Sequence, residues 1–231
     1  MEELTLSPDL QVTKMEYDDG DIVVHVVDNF LANPEAINDY AKNNAYFGPV
    51  GGDHTAYPGI RDRLPKPYER VLANLIEQIF GVSDPLIYRC MLSLITLSPE
   101  QLATPQKLPH IDALGNDQYA SVHYLSHAGH GGTTIYRYIP KNIVRITAAN
   151  KDVIPEMIKR VGNSPEEHRG YLTTDTSLFK REVTIESKFN RVVMYPGNLL
   201  HCADLYSAQS YTNDIDSGRL SVASFFQLPT A

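Results

Sequence analysis

An antiparallel β sandwich or barrel with flanking helices is the fold class this sequence predicts, on three observations. At least seven β-rich segments recur, one at Ile22–Val27 and the rest between residues 86 and 228. The helical patterns gather in the first third instead of alternating with strands, which argues against a doubly wound parallel sheet. The chain also carries 14 Gly, 15 Pro and 14 Tyr against 7 Phe, a composition suited to turns and to sheets with polar-tipped aromatics.

Taken in order, residues 1–20 are polar and end in Asp18-Asp19-Gly20, a turn signal. Ile22–Val27 reads as a strand. Asn33-Pro34-Glu35 then starts a helix, with Asn33 able to cap it and Pro34 suited to its first position; Ile37, Tyr40 and Ala41 form its apolar stripe. Residues 44–67 show no period and carry eight Gly or Pro residues, the signature of a long loop. That loop holds His54, Tyr57, Arg61 and Arg63, and it is either a salt-bridged surface loop or one wall of a substrate pocket. Pro67–Phe80 is the clearest helix. Val71, Leu72, Leu75, Ile76 and Ile79 share one face, and Gly81 stops it.

Leu86–Ile95 reads as a buried strand, Tyr119–Leu125 as the next, and Gly129–Gly132 as a turn into Thr133–Tyr138. Residues 140–180 interrupt the β pattern. Val153, Ile154, Met157, Ile158 and Val161 look helical, and Ser164-Pro165-Glu166-Glu167 looks like a second helix start. Strands return at Glu182–Glu186, Arg191–Tyr195, Leu199–Ala203 and Leu220–Leu228, with Tyr206–Asp216 loop-like. With no repeat, linker or low-complexity segment, residues 1–231 read as one domain: a strand-and-helix segment at 22–81 packed on a β core at 86–228, with an insertion at about 140–180.

Twenty Lys and Arg face 28 Asp and Glu, a formal net charge of −8. No basic block marks a nucleic-acid footprint, so nucleic acid is excluded as a partner class. No apolar run is long enough to cross a bilayer. Two cysteines, Cys90 and Cys202, are too few for a disulfide framework. A cytoplasmic protein with reduced thiols is the expectation, and the oligomeric state is left open, a homodimer included.

The chemistry centres on Pro109-His110-Ile111-Asp112. Residues two apart on a strand point to one side, so His110 and Asp112 could share an ion, and His201, far along the chain, could supply a third ligand. Two histidines and one carboxylate with open positions are the facial arrangement of non-haem Fe(II) oxygenases. Alone, His-x-Asp carries little weight, since a lone histidine is more often structural. Arg219 and Ser221 alternate onto one strand face, and a guanidinium fork beside a hydroxyl is a good carboxylate receptor; the competing reading is a salt bridge from Arg219 to Asp214 or Asp216. Arg61, His54 and Arg137 are the candidates for the substrate side. His127 and His130 read as members of a solvent-facing turn, Cys90 and Cys202 as small buried hydrophobes, and Asp204 as a residue that could orient His201.

Four landmarks occur in order: His110-x-Asp112; Tyr124-Leu125-Ser126 with Gly131–Tyr136; Val192–His201, including Pro196-Gly197; and Gly218-Arg219-Leu220-Ser221 entering a terminal strand. Together they resemble the Fe(II)/2-oxoglutarate-dependent oxygenases, most nearly the branch that includes the prolyl hydroxylases, and a group of uncharacterised bacterial proteins with this core. The resemblance covers about residues 86–228, with residues 22–43 similar to the family's entry strand and helix. It implies a double-stranded β-helix, the jelly-roll or cupin-like fold. By position it makes His110, Asp112 and His201 the iron ligands and Arg219 the partner of the distal 2-oxoglutarate carboxylate, assisted by Ser221 and Tyr124. The implied reaction uses Fe(II), 2-oxoglutarate and O2. It releases succinate and CO2 and oxidises a small molecule, amino acid or peptide side chain, with hydroxylation, or oxidative ring or bond formation, favoured over halogenation because Asp112 is present. Two departures from the family pattern are the 18-residue step from His201 to Arg219 and the insertion. The rival readings are a cupin-like or zinc-dependent metalloenzyme using the same triad, and an inactive β-helix binding protein.

Overall fold

The computed structural model describes residues 3–127, 129–205 and 211–229. Ten strands form two antiparallel sheets. The larger contains β1 (Gln11–Tyr17), β2 (Ile22–Asp28), β3 (Gly59–Arg63), β4 (Leu86–Ile95), β5 (Gln118–Tyr124), β8 (Arg191–Pro196) and β10 (Leu220–Gln227), in the order β1-β2-β8-β5-β10-β4-β3. The smaller contains β6 (Thr133–Tyr138), β7 (Phe179–Ile185) and β9 (His201–Ala203), in the order β7-β6-β9. From β4 onward the chain passes repeatedly between the sheets, which is the jelly-roll way of winding. Among the described residues the two sheets do not join through hydrogen-bonded strands, so the architecture is an open two-sheet one and not a closed barrel.

Alternation along the strands divides the core into layers. Cys90, Leu92 and Leu94 of β4, Val222 and Phe226 of β10, and Val192 and Met194 of β8 face two helices, α1 (Glu35–Asn43) and α2 (Lys66–Phe80), which contribute Ile37, Tyr68, Leu72 and Leu75. The opposite face of that sheet, with Ala120, Tyr124, Val193 and Tyr195, meets Ile135, Val183 and Ile185 of the smaller sheet. Outside the smaller sheet, Tyr136, Tyr138 and Phe179 pack on Val153, Met157 and Val161 of α3 (Val153–Gly162). Helices therefore close the outer faces, and the space between the sheets is left for a site.

Local signals account for most boundaries. Gly81 ends α2 in the left-handed region at φ 65°, its amide donating to Glu77 O at 2.9 Å, as a C-terminal glycine does. At α1 the expected Asn33 cap is not formed; Pro34 itself occupies the cap position and no side chain bonds there. Three expectations need correction. Residues 44–67 are not all loop, because Gly59–Arg63 pairs with β4 across five residues; a five-residue edge strand with three charges has too little apolar alternation to announce itself. Ser164–Glu167 forms turns and no second helix. The strand expected at 199–203 is shorter, His201–Ala203. Of the loop expected at 206–216, residues 206–210 lie outside the described residues.

Candidate metal centre

His110 lies in no strand, yet it is fixed like one. Its amide donates to His201 O and the His201 amide donates to His110 O, both at 2.9 Å, a local antiparallel bridge at the edge of β9. Two residues on, the amides of Asp112 and Ala113 both donate to Gly197 O, at 2.7 and 3.1 Å. Gly197 is what permits this approach: a Cβ there would lie 3.2 Å from Ala113 Cβ and 3.3 Å from Gln118 O. The backbone thus sets three side chains around one point. The potential ligand atoms of His110, Asp112 and His201 all lie within 4.8 Å of one another, with His201 Nε2 at 3.2 Å and His110 Nε2 at 3.9 Å from the Asp112 carboxylate.

Neighbours fix the chemistry of each. His201 Nδ1–H donates to Leu199 O at 2.8 Å, which orients Nε2 toward Asp112, the second-sphere bond that metal-binding histidines generally make. Asp204, which the sequence offered for that task, instead pairs with Arg181 at 3.0 Å. Burial works to lower the His201 pKa, but the Asp112 charge and hydrogen bond outweigh it, so the pKa is raised. Burial would raise Asp112, yet His201 and His110 hold it below the ordinary carboxylate value. The His110 ring is open to the cavity but deep in the protein; burial and the His201 charge push it down to about 4, leaving it neutral near pH 7. One carboxylate and one neutral imidazole stand ready beside a second imidazole, and any proton on a ligand nitrogen would have to leave when a metal binds. This donor set fits a divalent first-row metal, and two histidines with one carboxylate leave the open positions of a non-haem Fe(II) centre.

The three residues sit in the wall of a cavity of about 390 Å³ between the sheets, an ordinary size for a small-molecule site. Arg219 and Ser221 line it with them. Both are buried. Arg219 Nη2 donates to Gly132 O at 3.1 Å, while its Nε is buried without a hydrogen-bond partner among the described residues. The salt bridge to Asp214 or Asp216 does not form: Asp216 pairs with Lys42, and Asp214 accepts from Ser217 Oγ. Tyr124 lies opposite Ser221 in the β5–β10 register, and Arg219 sits 5.5 Å from its ring centroid. Its hydroxyl, however, is bonded to Thr133 Oγ1 at 2.7 Å, and Tyr124 is absent from the cavity wall. Another tyrosine is better placed. Tyr57 lines the cavity, and its buried hydroxyl lies within reach of the Ser93 side chain. Burial raises its pKa, against the charges of Arg61 and Arg219, so it is a neutral donor. The sequence placed Tyr57 only among four residues of a loop that could wall a pocket and gave its hydroxyl no role of its own, because no periodicity marks a residue in a Pro- and Gly-rich turn.

The three substrate-side candidates separate. Arg61 lines the cavity. His54 is exposed on a turn at φ 59° and does not. Arg137 is held by Glu182, Asp18 and Asn142 and does not line the cavity. His127 is exposed, stacked on Phe189 and bonded to Glu35; His130 is buried, contrary to a solvent-facing turn. Cys90 is fully buried, and Cys202 Sγ lies 3.6 Å from Leu172 O; burial pushes both thiols up to about 12. The insertion contributes Tyr171 and Leu172 to the cavity wall. No helix among the described residues is long and apolar enough to cross a membrane.

Residues 8–226 match a family of unknown function, DUF6445, and the chain belongs to it. No curated protein matches it in sequence. Among solved structures, it is similar to HygX from Streptomyces hygroscopicus with nickel and 2-oxoglutarate bound, at 12% identity and a TM-score of 0.48, over 89% of this chain and 82% of that one. It is also similar to SnoN, the non-heme alpha ketoglutarate dependent epimerase from nogalamycin biosynthesis, at 14% identity and a TM-score of 0.46, over 86% and 74%. AviO1 from Streptomyces viridochromogenes Tue57 follows at 14% identity and a TM-score of 0.42, over 85% and 81%.

Proposed function

We propose that this member of the DUF6445 family is an Fe(II)- and 2-oxoglutarate-dependent oxygenase acting on a small molecule, with hydroxylation of an unactivated C–H bond as its reaction. The observation that carries the reading is the pairing, in one cavity, of a two-histidine, one-carboxylate cluster with a buried arginine whose Nε has no partner. A zinc hydrolase would use the first and have no use for the second.

His110, Asp112 and His201 would hold the iron. Bound iron would supply the oxidising chemistry. The chain's own residues do the rest. Leu199 O keeps the His201 ring turned so that Nε2 faces the ion's position. Arg219 and Ser221 would receive the distal carboxylate of the co-substrate, with the Tyr57 hydroxyl as a further donor. Charge-assisted hydrogen bonds of this kind are stronger than neutral ones, and a buried guanidinium gains more from them than an exposed one. Tyr124 would act one step back, as the aromatic surface under Arg219. Thr55, Ala56, Tyr57 and Pro58 of the turn preceding β3 line the same cavity.

The test is anaerobic titration of Fe(II) and then 2-oxoglutarate, followed by visible absorption. One Fe(II) per chain and a metal-to-ligand charge-transfer band on adding 2-oxoglutarate are expected. Arg219→Met should keep the iron and raise the 2-oxoglutarate concentration at half-saturation by tenfold or more. Iron binding with no such band in the unaltered protein would defeat the proposal.

A further inference from the structure

Arg61 is clamped on three sides and lines the cavity. Its Nη1 donates to Asp53 Oδ2 at 3.1 Å and to Thr55 Oγ1 at 3.4 Å. Its guanidinium carbon lies 3.7 Å from the centroid of the Tyr57 ring. The side chain is only 10% exposed, and Nε is buried without a hydrogen-bond partner. Both of its hydrogen bonds leave through Nη1, so the edge formed by Nε and Nη2 remains. Two parallel N–H groups on such an edge match the two oxygens of a carboxylate. Because Nη1 and the ring face are already fixed, little rotamer freedom is left to lose on binding.

Position makes this a second receptor, distinct from the first. In the sheet register Arg61 lies opposite Ser93, and Ser93 opposite Ser221. Two strand spacings put the Arg61 backbone roughly 10 Å from that of Ser221. The charge of Arg61 nevertheless reaches the metal cluster, lowering both His110 and Asp112. The cavity is also cationic in a protein of net charge −8. Arg61, Arg89 and Arg219 line it against a single lining carboxylate, Asp112, with Asp53 paired behind Arg61. A divalent ion and a dianionic co-substrate would cancel each other, which leaves one positive charge unmatched.

We propose that the substrate is a monocarboxylic acid with an apolar body, its carboxylate on the Nε–Nη2 edge of Arg61. The body lies along Ile95, Leu108, Ile111 and Phe225, the apolar part of the wall, and Ile111 brings it beside His110. The inference rests on the co-substrate reading only for which carbon reacts; the carboxylate receptor is a property of the apo cavity. The competing role for Arg61 is to hold the 53–57 turn against β3.

Hexanoate and hexanamide serve as probes, titrated calorimetrically into anaerobic protein loaded with Fe(II) and 2-oxoglutarate. Hexanoate should bind saturably and at least tenfold more tightly than hexanamide. Arg61→Met should erase that preference while the charge-transfer band keeps its full strength. Arg61→Lys, which keeps the charge and loses the fork, should reduce the preference severalfold and carries the same test if Arg61→Met does not fold. No saturable hexanoate binding, equal affinity for the two probes, or an undiminished preference in the Arg61 variants would overturn the proposal. So would loss of the band in Arg61→Met, since that would make Arg61 the co-substrate's receptor. The same titration on metal-free protein separates the two readings: an Arg61-dependent preference there, without any band in the loaded protein, sinks the co-substrate reading and leaves this one standing.

Discussion

His110 and His201 are bound to each other through their backbones before any ion is considered. Each amide donates to the other's carbonyl at 2.9 Å, and the two rings lie with centroids 4.4 Å apart. Asp112 is tied separately, through its amide, to Gly197 O. The cluster's geometry therefore resides in main-chain bonds that survive changes of side chain.

Asp112→Ala should consequently remove the metal site without unfolding the protein. Tight Fe(II) binding, measured by equilibrium dialysis under anaerobic conditions, should fall by two orders of magnitude or more. The thermal midpoint of the apo protein should stay within a few degrees of the parent. A collapse of the midpoint instead would show that the carboxylate is needed for the fold.

Tyr57 and Tyr124 should part company when each loses its hydroxyl. Tyr57→Phe removes a buried hydroxyl beside Ser93, so stability should change by no more than about 1 kcal/mol, and the affinity for 2-oxoglutarate should drop by about tenfold, the value of a typical charge-assisted hydrogen bond. Tyr124→Phe breaks the bond to Thr133 Oγ1 and should cost about 1 kcal/mol of stability with little change in that affinity. The charge-transfer band and urea unfolding read the two effects; the reverse pattern would restore Tyr124 as the direct contact.

His123 should make the fold acid-sensitive. Asn190 Nδ2 donates to Leu31 O, so its Oδ1 accepts from His123 Nε2–H, and His123 Nδ1 accepts from the Tyr68 hydroxyl. The ring is fully buried and neutral, and burial pushes its pKa down to about 3 against 6.5. Between those values the unfolded chain takes up a proton that the folded one refuses. Stability is complete above pH 6.5 and is lost as pH falls toward 3, at up to about 1.4 kcal/mol per unit. In urea midpoints measured across that range, His123→Gln should lower the neutral value and flatten the acid limb; an unchanged slope would remove His123 as the cause.

Gly132→Ala should be far more damaging than an ordinary glycine substitution. A Cβ there would lie 1.7 Å from Ile185 O, across the β6–β7 pair. The Gly132 carbonyl also accepts from Arg219 Nη2 and from the Asp204 amide. A loss of roughly 3 kcal/mol or more is expected from the forced shift, with weaker 2-oxoglutarate binding in whatever folds. Denaturant unfolding of this variant beside Gly162→Ala, whose added Cβ would meet only Thr104 Cγ2 at 3.9 Å, isolates the packing effect.

What the sequence revealed follows the strength of local periodicity. α2 was legible because five apolar residues share one helical face and Gly81 ends it, and β4, β5, β8 and β10 because their runs are long and apolar. β3 was hidden because an edge strand of Gly-Ile-Arg-Asp-Arg is held by its partner and not by its own pattern. The iron candidates were legible as spacing, His110 to Asp112, plus one distant histidine. Tyr57 was not, since only folding brings its hydroxyl into the same cavity as Arg219. Arg137 and His54 misled for the converse reason: polar residues near a turn look alike in sequence whether they face a cavity or an ion pair outside it.

The metal candidates hang from the His110–His201 bridge and the Gly197 carbonyl, at the edge of the smaller sheet and the loop that meets it. Arg61 and Ser221 ride on the larger sheet, two strands apart. On the proposed reading, oxidant and recognition would be mounted on different walls of one chamber, with β3 and its preceding turn as a replaceable panel of the second. Grafting a different 53–63 segment onto this scaffold is accordingly a route to new substrates that leaves the oxygen chemistry where it is.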